Sequence, residues 1–69
     1  MKAILKAIAA MDHLNQMRGT SFHLGQRITV DGKRGVIVGA NSSSNLDVLF
    51  DGEKHASNCH PTWKVGVIL

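Results

Sequence analysis

Two Asp-Gly dipeptides, Asp31-Gly32 and Asp51-Gly52, constrain the fold of this chain more than any other feature of its sequence. An Asp-Gly pair between hydrophobic runs is typical of a tight turn, because such turns need positive φ angles that glycine adopts freely. The first pair lies between Ile28-Thr29-Val30, in which apolar and polar residues alternate, and the β-branched run Val36-Ile37-Val38. These runs favour β-strands, so the sequence predicts antiparallel strands joined by short turns.

Three more strands are predicted towards the C-terminus: Leu46–Phe50, Lys54–Ser57 and Val65–Leu69. The first of them places alternate apolar side chains on one face, and Pro61-Thr62-Trp63 predicts a turn or a single 3₁₀ turn before the last. Five short strands are too few for a sandwich of two full sheets, but one short sheet can curl over itself. We therefore expect a small, strongly bent five-stranded barrel.

The apolar side chains of these segments are expected to form the barrel core. The predicted core residues are Ile28, Val30, Val36, Val38, Leu46, Val48, Phe50, Trp63, Val65 and Val67. Trp63 has two interpretations, a plug of the barrel or an exposed anchor in an interface. Its position between a turn and a core-forming strand favours the plug.

The segment before Arg18-Gly19 follows a different period. Its apolar residues recur at the three- to four-residue spacing of one helix face, at Ile4, Ala7, Ile8, Met11 and Leu14. Arg18 suits the C-terminus of a helix, and Gly19 suits the position that follows it. The sequence therefore predicts a helix over residues 2–18. The expected fold is α+β and mainly β, one compact domain in which 1–18 form an amphipathic helix and 19–69 the barrel.

The predicted helix has more apolar surface than one end of so small a barrel can cover, since Leu5 and Met17 widen its apolar stripe. Small domains often find missing burial in an oligomer. We expect a homodimer in which the helix forms the protein interface, with Ile8 and Met11 near a two-fold axis. The interface residues are predicted to be Ile4, Leu5, Ile8, Met11 and Leu14. Packing of the helix on its own barrel remains the alternative.

Two resemblances follow from the β-rich part. The segments Ile28–Gly39 and Leu46–Gly52, each with a glycine turn and alternating β residues, resemble an SH3-like barrel of the KOW/Tudor-like type. The pattern Asp31–Gly35, Asn45–Gly52, Ser57–Pro61 and Trp63 is similar to short proteins of tailed bacteriophages and prophages. The first resemblance implies a module able to bind nucleic acid, and the second an accessory protein that modulates a host or phage complex.

The sequence offers little for catalysis or for a metal. His55, Cys59 and His60, with His23 elsewhere, are the candidate ligands, but they lack the paired spacing of zinc sites. Cys59-His60 as a nucleophile and base would need a pocket and an oxyanion donor. A phosphate-binding loop is also absent from the sequence, because Gly32 and Gly35 lack the required spacing. We expect no enzyme activity, no cofactor and no metal.

Charge provides the main alternative function. Eight Lys and Arg against five Asp and Glu leave a net charge of +3. Basic residues at the first hairpin and adjacent strand ends could contact phosphates, and these are Arg27, Lys33, Arg34 and Lys64. Nucleic-acid binding through these residues is the alternative, although few aromatic residues are present to stack on bases.

The leading interpretation is a non-enzymatic binding module that occupies a surface on a protein partner, with a small-molecule binder or an enzyme as a third interpretation. A cytoplasmic location is expected, since a single cysteine cannot form an internal disulfide. The first residues imitate a signal peptide, but Lys6 and Asp12 interrupt its apolar run. No segment approaches the ~20 apolar residues of a membrane span.

Overall fold

A computed structural model describes residues 2–68, in which one helix is followed by five strands. These elements are α1 (Lys2–Arg18), β1 (Arg27–Val30), β2 (Lys33–Ala40), β3 (Leu46–Phe50), β4 (Ser57–Cys59) and β5 (Val65–Val67). The predicted fold class, α+β and mainly β, is confirmed, as is the predicted helix over residues 2–18. No helix among the described residues is long and apolar enough to cross a membrane.

The five strands form one antiparallel sheet in the order β4-β3-β2-β1-β5. Three strands follow the chain as a meander from β1 to β3, and β4 continues it. β5 then returns beside β1, with Thr29 opposite Gly66 and Val30 opposite Val65. A short sheet whose last strand returns to its first is compatible with a small barrel.

Both predicted Asp-Gly turns are present. Asp31 and Gly32 have φ angles of 52° and 81°, the two positive values that a type I′ hairpin turn requires. At the second turn, Glu53 N donates a hydrogen bond to Phe50 O at 3.0 Å, and Gly52 has a φ of 81°. Local stereochemistry at glycine therefore sets both turns.

The fourth strand lies later in the chain than predicted. Lys54–Ser57 was the expected strand, but β4 covers Ser57–Cys59 and the two residues Lys54 and His55 lie in an exposed loop. The pairing of β3 with β4 puts Leu46 opposite Cys59, which turns the thiol into the core. The last strand ends at Val67, and Leu69 lies outside the described residues.

The inward face of β2 is the opposite of the one predicted. Ile37 is fully buried, whereas Val36 is half-buried and Val38 is exposed. The pairing with β1 sets this face, because the buried Ile28 lies opposite Gly35, so that Gly35 and Ile37 point inward and Val36 does not. A register shift between Ile37 and Gly39 marks a β-bulge only further along the strand. Gly35 shares the inward face, and a Cβ there would lie only 2.7 Å from Val48 Cγ1. The close approach of β3 leaves no room for a side chain at Gly35.

Two further core predictions are wrong, because Trp63 and Val67 are exposed. The helix completes the core in place of a tryptophan plug: Met11 and Leu14 join the buried side chains of the sheet. The buried apolar residues are Met11, Leu14, Ile28, Val30, Ile37, Leu46, Val48 and Cys59, with Phe22, Leu24, Ala40, Phe50 and Val65 packed against them.

Candidate binding surfaces

The C-terminal half of α1 is fixed to the rest of the chain by two polar side chains. Arg18 donates from Nε to Ser44 O at 3.0 Å and from a terminal guanidinium nitrogen to Asn45 Oδ1 at 3.1 Å. Asn15 holds the segment after the helix, because its Oδ1 accepts from Phe22 N at 2.9 Å and its Nδ2 donates to Phe22 O at 2.8 Å. The helix position relative to the sheet is therefore determined at its last turns.

The N-terminal half of α1 exposes three large aliphatic side chains. Ile4, Leu5 and Ile8 are 60%, 63% and 46% exposed, and we call them the helix patch. The other two predicted interface residues, Met11 and Leu14, lie in the chain's own core. Of the five predicted interface residues, three are therefore exposed and two are buried in the core of their own chain.

A hollow of about 130 Å³ adjoins the helix patch at Ile8. It lies between α1 and the segment that leads into β1, and its lining residues are Ile8, Met11, Asp12, Phe22, His23 and Leu24. The sequence did not indicate Phe22 or Leu24 as site residues, because they belong to an irregular segment without a period. Asn15 positions this segment through both of its bonds to Phe22.

The strand register brings two of the four predicted basic residues together on the sheet. Arg34 is paired with Thr29, and Arg27 lies two residues before Thr29 on the same strand. Alternate residues of a strand share a face, so Arg27 and Arg34 are diagonal neighbours on the face opposite the core. Lys33 is paired with the buried Val30 and so belongs to the other face, at the hairpin end.

Lys64, the fourth predicted basic residue, joins the same end of the sheet through Asp31. Its carbonyl oxygen accepts a hydrogen bond from Asp31 N at 3.0 Å, and its Nζ lies 3.4 Å from Asp31 Oδ1. The Nζ also lies 5.0 Å from the centroid of the Trp63 ring, a cation–π contact. Trp63 is 54% exposed, so an indole stands in solvent beside Lys64.

The candidate metal and nucleophilic residues do not converge. Cys59 is buried, and burial raises the pKa of its thiol, with the nearby Asp47 carboxylate as a second cause. A raised pKa keeps the thiol protonated and therefore a poor nucleophile near neutral pH. His60 Nδ1 accepts a hydrogen bond from Thr62 N at 3.2 Å within its own turn. Among residues 2–68, no group of three or more His, Cys, Asp and Glu side chains could hold a metal ion.

Comparisons with protein-family models, with curated proteins and with solved structures found no match. The structure supports a small antiparallel five-stranded sheet with one helix, the coarser part of the resemblance to an SH3-like barrel. Function is therefore inferred from the two surfaces described above, the apolar helix patch and the basic face of the sheet.

Proposed function

We propose that this chain is a non-enzymatic binding module that docks on a protein surface through the helix patch. The observation that carries the proposal is the exposure of Ile4, Leu5 and Ile8 on a helix that is attached to the core further along, through Met11 and Leu14. Single exposed apolar residues are common on protein surfaces. Three within two turns of one helix, next to a hollow lined mainly by apolar side chains, are typical of an interaction site.

The size of the hollow favours a protein partner over a small molecule. Small-molecule sites usually enclose about 300–1,000 Å³ and bury most of the ligand. The hollow beside Ile8 has about 130 Å³, which matches one inserted side chain better than a cofactor or substrate. The described residues around it also lack a nucleophile with a neighbouring base, the arrangement that acyl-transfer or hydrolytic chemistry would need.

A second copy of the chain is the first partner that we propose for the helix patch. Two antiparallel helices related by a two-fold axis at Ile8 would place Leu5 of one protomer opposite Met11 of its partner. Met11 is buried in its own chain but forms a wall of the hollow, so each Leu5 would enter the other protomer's hollow. Such an exchange is self-complementary, as an isologous interface requires. A role in a host or phage complex stays a further proposal, which rests on the phage resemblance alone.

Light scattering and circular dichroism of two charge variants test this function. Ile8→Asp would place a carboxylate in the apolar contact and is expected to turn a dimer into a folded monomer. Met17→Asp is the matched control, because Met17 is an exposed apolar residue nine positions further along and hence on the opposite side of α1. It should leave the dimer intact.

Several outcomes would overturn parts of the proposal. A wild-type chain that scatters as a monomer at high micromolar concentration would exclude the homodimer. Equal effects of both substitutions would show that added charge, and not the helix patch, controls association. Unfolding of Ile8→Asp would place Ile8 in the fold and not in an interface.

A further inference from the structure

The face of the sheet opposite the core carries a second surface, which is independent of the helix patch. Ile28 and Val30 are buried, so the alternating residues Arg27 and Thr29 point away from the core. The register places Arg34 opposite Thr29 on β2 and Gly66 opposite Thr29 on β5. We call this region of β5, β1 and β2 the outer face. α1 packs on the other side of the sheet, since Met11 and Leu14 contact the buried side chains.

Two basic side chains lie on the outer face and a third lies at its hairpin end. Arg27 and Arg34 are both exposed, and diagonal neighbours in an antiparallel pair have Cα atoms about 7–8 Å apart. Lys64 lies at the hairpin end of β1, beside Asp31. Asp51 is the acidic residue next to Arg34, whose carbonyl accepts from Asp51 N at 3.0 Å. The region thus holds three cationic and two carboxylate side chains. Its net positive charge is located at the two arginines.

Gly66 keeps the centre of the outer face flat. It carries no side chain, and a Cβ built there would lie 2.8 Å from Thr29 Oγ1. Where β5 and β1 pair, the outer face is therefore formed by the backbone of Gly66 and by the small Thr29 side chain. A chain-like ligand could lie close to the sheet here.

An aromatic ring stands beside Lys64, at the hairpin end of the β1–β5 pair. The ring of Trp63 lies 5.0 Å from Lys64 Nζ, and the bond from Asp31 N to Lys64 O ties its turn to the first hairpin. Its exposure has no explanation in the packing of the chain, since the core is completed by α1. An exposed indole beside Lys64, on the same sheet as Arg27 and Arg34, combines the two features of single-strand binding sites, a stacking platform and contacts for phosphates.

We propose that the outer face binds single-stranded nucleic acid, with a base stacked on Trp63 and the phosphates on Arg27, Arg34 and Lys64. A single strand fits better than a duplex, because this surface is flat and lacks a helix or ribbon that could enter a groove. It fits better than an acidic peptide, because an exposed indole adds stacking energy for a base. Lys33, on the other side of the hairpin, has a minor part.

The intrinsic fluorescence of the protein reports on this site directly, because Trp63 is the only tryptophan and the chain has no tyrosine. Titration with an unlabelled 12-nucleotide single strand at about 20 mM salt should quench Trp63 emission as a base stacks on the ring. Three phosphate contacts predict a slope of log affinity against log salt of about −2, from roughly −0.7 per contact on a single strand. Trp63→Ala, followed by anisotropy of a labelled strand, should weaken binding about tenfold.

Charge variants separate this site from a general effect of the basic charge. The double substitution Arg27→Glu with Arg34→Glu should abolish the quenching and flatten the salt slope. Lys2→Glu with Lys6→Glu is the matched control, because it changes the net charge equally at exposed residues of α1, which packs on the other side of the sheet. Circular dichroism tests whether each variant folds. If the double glutamate variant does not fold, the double glutamine variant, Arg27→Gln with Arg34→Gln, takes its place.

Several results would overturn the proposal. One is the absence of quenching by the single strand at 20 mM salt. Equal losses in the outer-face pair and in the control pair would show attraction by net charge alone. Tighter binding of a duplex, or of a poly-glutamate peptide, would assign the outer face to a different partner. The helix-patch variant Ile8→Asp should bind the single strand with the affinity of the wild type and with one site per chain. This result would show that strand binding does not depend on dimer formation.

Discussion

Asp31 and Lys64 hold each other by two contacts, a backbone hydrogen bond of 3.0 Å from Asp31 N to Lys64 O and an ion pair of 3.4 Å. Both residues have positive φ angles, 52° and 50°. The backbone bond closes the end of the β1–β5 pair and ties the turn of Trp63 to the first hairpin. The side chains are more than half exposed, so solvent weakens the ion pair, and such pairs contribute about 0–1 kcal/mol.

Two substitutions of Asp31 should therefore differ in their effect on the free energy of unfolding. Asp31→Asn removes the charge but keeps a residue that suits a type I′ turn, so we expect a change below about 1 kcal/mol. Asp31→Val puts a β-branched residue at positive φ and should cost about 1–3 kcal/mol. Urea unfolding followed by circular dichroism measures both. A larger cost for the asparagine variant would mean that the ion pair, and not the turn, stabilises this end.

Buried and exposed positions in the C-terminal half of α1 should respond differently to truncation. Leu14→Ala removes a fully buried side chain and should lower the free energy of unfolding by about 2–5 kcal/mol. Met17→Ala, on the same helix but exposed, should change it by less than about 0.5 kcal/mol. Urea unfolding at one protein concentration makes the comparison. Similar losses at the two positions would contradict the burial of Leu14 in the core.

Asn15 is expected to stabilise the connection from α1 to β1. Its side-chain oxygen accepts from Phe22 N and from Thr20 Oγ1, and its amide donates to Phe22 O. Asn15→Ala leaves these partly buried groups without their partner and should cost about 1–3 kcal/mol. Because Phe22 lines the hollow, the variant should also weaken any dimer formed through the helix patch. Unfolding and light scattering of the same samples test both effects, and an unchanged stability would contradict the first.

The buried thiol predicts a dependence of stability on alkaline pH. Burial raises the pKa of Cys59 above its ordinary value of 9.0, so the folded chain holds this proton more tightly than the unfolded chain does. The contribution to stability is therefore highest below the unfolded-state pKa and falls as the pH rises from there through the folded-state pKa. Unfolding of the wild type and of Cys59→Ala between pH 7 and 10 should show a steeper loss for the wild type. Parallel curves would exclude a raised pKa.

Asp47 provides a second check on the same thiol. Its carboxylate is the smaller cause of the raised pKa, so Asp47→Asn should bring the pKa of Cys59 closer to its ordinary value. A thiol reagent should then react faster with the folded variant than with the wild type at a mildly alkaline pH. Asn41 Nδ2 donates a hydrogen bond to Asp47 Oδ1 at 3.0 Å, which the substitution alters. The free energy of unfolding of the variant is therefore measured alongside its reactivity. Unchanged reactivity in a stable variant would leave burial as the sole cause.

The candidate surfaces could be predicted in part. The sequence indicated Ile4, Leu5 and Ile8 as interface residues and Arg27, Arg34 and Lys64 as a basic group, because apolar period and charge are visible in the residues themselves. Their binding roles remain predictions. The hollow beside Ile8 could not be predicted, since it forms only where α1 lies against a segment without periodic pattern.

Local stereochemistry let the sequence by itself determine α1, the two Asp-Gly turns and strands β1 to β3, since helical period and glycine at positive φ act within a few residues. Pairing between strands decided the inward face of β2, since the buried Ile28 lies opposite Gly35 and so Ile37, not Val36 or Val38, enters the core. Tertiary structure also decided that Trp63 is exposed, because Met11 and Leu14 fill the core in its place. These outcomes depend on contacts between residues far apart in the chain, which compete for one small interior and leave no periodic signal in the sequence.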